Sequence, residues 1–129
     1  MFTLDQIEAA HSKVKSGSDF PAYIRDLIKL GVRKYETFVA DNHTDYYGSS
    51  GKQVSSQVEI LHLSPSKKQR KEQFIANLKL HQAGKTDYQT FRKDCAENGI
   101  SIWVVEMEKM TCTYFDVDGN QVLVETIPF

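Results

Sequence analysis

"DFPAYIRDLIKLGVRKYETFVADNHTDYYGSSGKQV", residues 19–54, aligns without a gap on "DYQTFRKDCAENGISIWVVEMEKMTCTYFDVDGNQV", residues 87–122. Identities fall at Asp19/Asp87, Asp26/Asp94, Gly31/Gly99, Tyr46/Tyr114, Gly51/Gly119, Gln53/Gln121 and Val54/Val122. Similar pairs include Phe20/Tyr88, Tyr23/Phe91, Arg25/Lys93, Val32/Ile100, Tyr35/Trp103 and Tyr47/Phe115. These are caps, turns and apolar-face positions, where a fold used twice would demand matching residues. Dropping one residue from the offset extends the match back through Gln6/Gln73, Ala9/Ala76 and Gly17/Gly84.

Local signals give each copy the same element order. Thr3 and Gln6 form a capping-box pattern ahead of Leu4, Ile7, Ala10, His11 and Val14, a helix expected to stop at Ser16–Gly17. Asp19 caps a second helix with Pro21 in its first turn, an apolar stripe through Phe20, Tyr23, Leu27, Ile28 and Leu30, and Gly31 at its C-cap. Three strands follow: "RKYETFVA", a two-residue turn at Asp41–Asn42, "HTDYYG", a turn at Ser50–Gly51, and "VSSQVEILHL". The second copy opens with a helix over "SPSKKQRKEQFIANLKLHQAG" and a helix capped by Asp87 and closed by Gly99. The strands "SIWVVEME", "TCTYFDV" and "NQVLVETI" complete it, with a hairpin turn at Asp118–Gly119. The expected fold is α+β and two-layered. Internally duplicated ααβββ units, residues 3–63 and 64–129 of a single domain 1–129, build a mainly antiparallel sheet with helices on one face. The opposite face is left to solvent, a ligand or a second subunit.

Composition bounds the function. At 129 residues the chain is long enough for one core, and its 40% hydrophobic and 26% charged content is that of a soluble globular domain. A net charge of −1 gives no global field for nucleic acid or anionic membrane. Cys95 and Cys112, without a CxxC pair, suggest buried reduced thiols rather than a disulfide framework or a zinc site. The N-terminal residues lack a signal-peptide pattern, and no apolar run reaches the ~18 residues that cross a bilayer. The expectation is a cytoplasmic protein with no cofactor and no membrane contact, with nucleic acid disfavoured as a partner by the overall charge.

Two clusters carry candidate chemistry. With Asp41–Asn42 as the turn, the period of two puts His43, Asp45, Tyr47, Glu36 and Phe38 on one sheet face, the face away from the helices. A histidine beside carboxylates can act as a general base, so His43, Asp45, Glu36 and Tyr47 are the catalytic candidates. His43 and Asp45 with His62 are the metal-ligand candidates. Exposed sheet faces also carry such mixed polar residues for no chemical reason, and no nucleophile-plus-base motif or established ligand spacing is present. In the second copy Glu36, His43 and Asp45 become Val104, Thr111 and Thr113, so the cluster belongs to one half only. The other cluster is Ser66, Lys67, Lys68, Arg70 and Lys71, read as the first turns of a helix, where a phosphate or a nucleic-acid backbone would offset the unfavourable placement of cations. A solvated basic helix end is the plain alternative. His11 and His81 read as packing residues beside apolar stripes, and Trp103 as core.

The most specific pieces, "HSKVKSGSDFPAYI" (11–24) and "YETFVADNHTDYYG" (35–48), resemble the YbcV/YdfO-like domains of enterobacteria and their prophages. The resemblance runs along nearly the whole chain. It implies a small α+β domain in a prophage or accessory-gene setting. Members have no established activity, some carry the label phage envelope protein, and the family supplies no catalytic residues to transfer. Taken together, the sequence favours a binding or accessory protein over an enzyme. The open face and two sheet edges leave self-association as a route to a homo-oligomer.

Overall fold

The computed structural model describes residues 2–14, 19–58 and 62–128. Helices α1 (Leu4–His11) and α2 (Phe20–Leu30) precede strands β1 (Val32–Phe38), β2 (Thr44–Gly48) and β3 (Gln53–Ser55), with a short 3-10 turn at Ser49–Gly51. Helices α3 (Lys71–Gln82) and α4 (Tyr88–Glu97) precede β4 (Ile102–Glu106), β5 (Thr111–Phe115) and β6 (Gln121–Thr126). All six strands form one antiparallel sheet in the order β3-β2-β1-β4-β5-β6. Strand burial alternates, with Tyr35, Tyr46, Trp103, Val105, Cys112 and Tyr114 turned into the core beneath the helices. The α+β, two-layer expectation holds.

The caps form as local chemistry requires. Thr3 and Gln6 close a reciprocal capping box on α1, and the Asp87 carboxylate accepts the Thr90 N–H at 2.8 Å to start α4. Gly31 ends α2 at φ 99°. Asp19 begins α2 without a side-chain cap bond. Helix α1 ends at His11, earlier than expected: the Ser12 hydroxyl donates back to the Ala9 carbonyl at 2.6 Å, a local bond that competes with helix continuation. The expected stop at Ser16–Gly17 lies outside the described residues.

Three boundaries differ because tertiary hydrogen bonds set them. The β1–β2 turn spans four residues, Val39–Asn42, not two. Phe38 N–H bonds the His43 carbonyl at 3.0 Å, and Asn42, at φ 59°, returns its N–H to Phe38. Glu36 therefore faces Asp45 rather than Tyr47, a slip of two residues that leaves every side chain on its expected face. The third strand stops at Ser55 instead of running to Leu63. Its partner β2 begins at Thr44, so after Ser56 bonds Thr44 no ladder remains. Residues 59–61 of that expected strand are outside the described set. Finally, α3 starts at Lys71, not near Ser64–Pro65. The Ser66 and Arg70 N–H groups instead bond the Ala96 and Asn98 carbonyls at the end of α4, at 2.8 and 2.9 Å. Only Lys71 of the basic run is helical, and Arg70 is the N-cap.

The β4–β5 loop repeats the geometry of the first. It also spans four residues, and its last, Met110, lies at φ 50° at the position equivalent to Asn42. At the centre, Glu36 faces Val104, with Tyr35 opposite Val105 and Thr37 opposite Trp103. Since Glu36 and Val104 are equivalent in the two copies, this register is symmetric about their pairing. One equivalence is broken inside the core: Ile24 matches Arg92, and both are fully buried. The Arg92 guanidinium donates to the carbonyls of Val39 (2.8 Å) and Ala40 (2.9 Å), fastening the first hairpin turn to α4.

Gly99 sits where the 66–70 segment crosses α4. Its φ is 83°, and a Cβ there would come within 2.7 Å of the Lys68 carbonyl oxygen. Gly119 has a similar φ of 82° but open space around it. We expect Gly119→Ala to lose only the left-handed penalty, about 1–2 kcal/mol, and Gly99→Ala to lose clearly more. Urea unfolding midpoints of the two variants check this, and equal losses would mean the 66–70 segment does not press on α4.

Candidate functional site

The sheet face away from the helices gathers the catalytic candidates into two neighbouring groups. In the first, Asp41 Oδ1 lies 2.6 Å from His43 Nδ1 and accepts the His43 backbone N–H at 3.1 Å. Nε2 stands 3.6 Å from Asp45 Oδ1, which takes the Ser55 hydroxyl at 2.7 Å. The imidazole stacks on Phe38 at 4.3 Å, nearly parallel. In the second, Glu36 receives the Tyr47 hydroxyl at 3.3 Å and approaches the Lys34 ammonium at 3.7 Å, while that ammonium lies 4.7 Å from the Tyr47 ring centre. Burial, then the Glu36 and Asp45 charges, raises the Tyr47 phenol. The carboxylate that holds the His43 ring at Nδ1 is thus Asp41, which was not among the candidates. Its place at the turn, two residues before the ring, was the available signal. Such an imidazole can accept a proton from a group brought against Phe38, but Ser55, the nearby hydroxyl, is already engaged by Asp45.

The other candidates are placed apart from this. His62 is exposed, next to Leu63, whose N–H bonds Ala40 across the first turn. Among the described residues no group of three or more His, Cys, Asp or Glu side chains is arranged to hold a metal ion. Lys67, Lys68, Arg70 and Lys71 are exposed, and the Ser66 hydroxyl accepts the Lys68 N–H at 3.1 Å.

The opposite, helix-bearing face holds a feature the sequence did not reveal. Between the α1–α2 pair, the α3–α4 pair and the sheet lies a cleft of about 920 Å³. Tyr35, Thr37, Thr44, Tyr46, Trp103 and Tyr114 contribute to its floor. One wall carries Ile7, His11 and Tyr23, the other Leu78, His81 and Phe91. The walls echo each other: His11 meets the Tyr23 ring edge-on at 5.2 Å, and His81 stacks on Phe91 at 4.4 Å. Asn42, from the first turn, also lines the cleft and accepts the Tyr88 hydroxyl at 2.5 Å.

Its imidazole, phenol, hydroxyl and thiol groups are held neutral. Burial lowers the His11 imidazole, and it lowers that of His81 against the opposing pull of the Thr86 carbonyl and of Asp87 and Asp94. Burial raises the hydroxyls of Tyr23, Tyr35, Tyr46 and Tyr114. The Tyr23 and Tyr46 hydroxyls bond each other, as do those of Thr37 and Thr44 at 2.8 Å. Cys112 is pushed up to about 12 by burial, and Cys95 is raised well above its ordinary value, so neither is a thiolate nucleophile. The missed signal was chemical. Core-facing positions that call for aliphatic residues carry Tyr, Thr and Trp, which bring polar tips into the interior.

Residues 8–126 match the profile of a family described as protein of unknown function (DUF1398). A search of curated proteins finds no match.

The Asp41–His43 contact makes a pH prediction. Burial alone would raise the Asp41 carboxyl, but the His43 hydrogen bonds and charge outweigh it and the net shift is downward. Such a carboxylate adds stability above its unfolded value, near 4, and that contribution disappears as pH falls through the lower folded value. We expect Asp41→Asn to flatten the loss of stability between neutral and acidic pH, read from thermal midpoints. A pH dependence identical to the parent's would mean that Asp41 contributes nothing to it.

Proposed function

The chain belongs to the DUF1398 family, and from the cleft between its helix pairs we propose that it is a small-molecule-binding protein. The carrying observation is an aromatic-lined volume of about 920 Å³ with convergent neutral hydrogen-bonding groups. Ligand sites generally have this form: concave, mostly apolar, with a few placed polar atoms. The prophage or accessory setting implied by the resemblance to YbcV/YdfO-like domains suits a binder with no catalytic apparatus. We also read the two halves as products of duplication, supported by the central register symmetric about Glu36/Val104 and the matched left-handed residues Asn42 and Met110. On this reading the cleft straddles the junction of the copies.

A second surface supports self-association. Phe38, Ile102, Val104 and Phe115 lie half-buried on the open face, a contiguous apolar strip that a second copy would cover. Val104→Lys should then convert a dimer to a monomer in sedimentation velocity; a wild-type chain that stays monomeric at high micromolar concentration rejects the interface.

For the cleft, the neutral fluorophore N-phenyl-1-naphthylamine should bind saturably, one per chain, with a Kd of about micromolar order. His11→Trp and Cys112→Phe, which fill the cleft from wall and floor, should each weaken binding about tenfold or more, with far-UV circular dichroism unchanged. Non-saturable binding, or affinity unaltered in both folded variants, would remove the cleft as the site.

A further inference from the structure

We propose that the cleft selects organic monocations, a protonated amine on an aromatic ring system, over neutral or anionic molecules of the same shape. This rests on the cleft being a ligand site and specifies its ligand class. The lining residues among those described include neither lysine nor arginine. Their ionisable members of fixed sign are two carboxylates, Glu8 on α1 and Glu125 on β6. His11 and His81, on opposite walls, are kept uncharged by burial and do not cancel them.

The two carboxylates differ in setting, Glu8 being exposed and Glu125 half-buried. Glu8 acts electrostatically on the Tyr46 hydroxyl, and Glu125 acts on Tyr114, the equivalent residue of the second copy. Each end of the aromatic floor therefore lies in the field of one negative charge. Glu125 is half-buried, and Gln82 donates to it at 2.9 Å. That single neutral donor leaves the desolvation of the carboxylate dominant, and its acid form is favoured beyond the ordinary range. A ligand cation would replace the missing solvation. The aromatic lining works in the same direction: Tyr23, Tyr35, Tyr46, Trp103 and Tyr114 line the cleft, and the faces of such rings carry the negative part of the quadrupole and attract cations. An anion would meet two like charges, with only neutral hydroxyl, amide and ring N–H groups to receive it.

The test uses three isosteric probes with the full chain at pH 7.5 in isothermal titration calorimetry: 2-naphthylmethylamine, protonated at that pH, 2-naphthylmethanol and 2-naphthoate. The amine should bind about tenfold or more tightly than the alcohol, the scale of a partly desolvated cation–π and ion-pair contact, and the naphthoate most weakly. Glu125→Gln and Glu8→Gln should each reduce the amine's advantage, and together abolish it, while leaving the alcohol's affinity as it was. If the alcohol binds as tightly as the amine, or the double variant keeps the preference, charge selection is overturned while binding in the cleft stands. If none of the three binds, the binding reading itself fails and the selectivity falls with it.

Discussion

The antiparallel pairing of β1 with β4 is the joint on which the rest of the molecule depends. Each half alone would be a three-stranded meander carrying two helices on one side, about 60 residues with too little apolar area to be comfortably stable. Zipping β1 to β4 makes one six-stranded sheet and turns Tyr35, Thr37, Trp103 and Val105 into a shared floor. It also fixes where the helices can go. The space between the helix pairs falls over the joint, and α4 reaches across it to the first hairpin turn through Arg92 and Tyr88. The cleft is thus a product of the strand register, and the same pairing that completes the core leaves room inside it.

That geometry explains why the floor is built from aromatic and hydroxyl side chains. Rings such as Phe74 and Tyr114, at 4.9 Å, and Phe91 and Trp103, at 5.6 Å, brace α3 and α4 against the sheet on one side of the gap. The hydroxyls satisfy one another within the floor, as Thr37 and Thr44 do. A polar surface is therefore maintained there without charge. Only at the edges, at Glu8 and Glu125, does formal charge return.

What the sequence disclosed follows the range over which each interaction acts. Thr3 with Gln6, Asp87 with Thr90, and Gly31 and Gly99 at helix ends are contacts within a turn or two of chain, and they were legible. So was the face of each strand, because alternation survives a register slip of two. The ends of β3 and α3 were not, since Thr44 and the carbonyls of Ala96 and Asn98 decide them from afar. Met110 at positive φ was hidden because methionine carries no turn signal. Ile28 fitted the apolar stripe of α2 yet is 43% exposed, and nothing in the pattern around Arg92 marked it as fully enclosed. Tyr23, Tyr35 and Tyr46 were recognisable as interior-facing, but a cavity is a distance between layers, and no residue pattern states that distance. On the open face, His43 and Asp45 were placed correctly, while the partner that orients the ring, Asp41, depended on a turn two residues longer than its sequence suggested.

The two cysteines give the fold a property of another kind. Cys95 is fully enclosed on α4, and Cys112 lies in the cleft floor at 5% exposure, each with its thiol held protonated by burial. One is reachable only when α4 lifts from the sheet, the other when the floor is uncovered. Reaction with a thiol reagent would therefore run as a clock on breathing motions, with two hands set in different layers. An occupant of the cleft would slow the hand at Cys112 first.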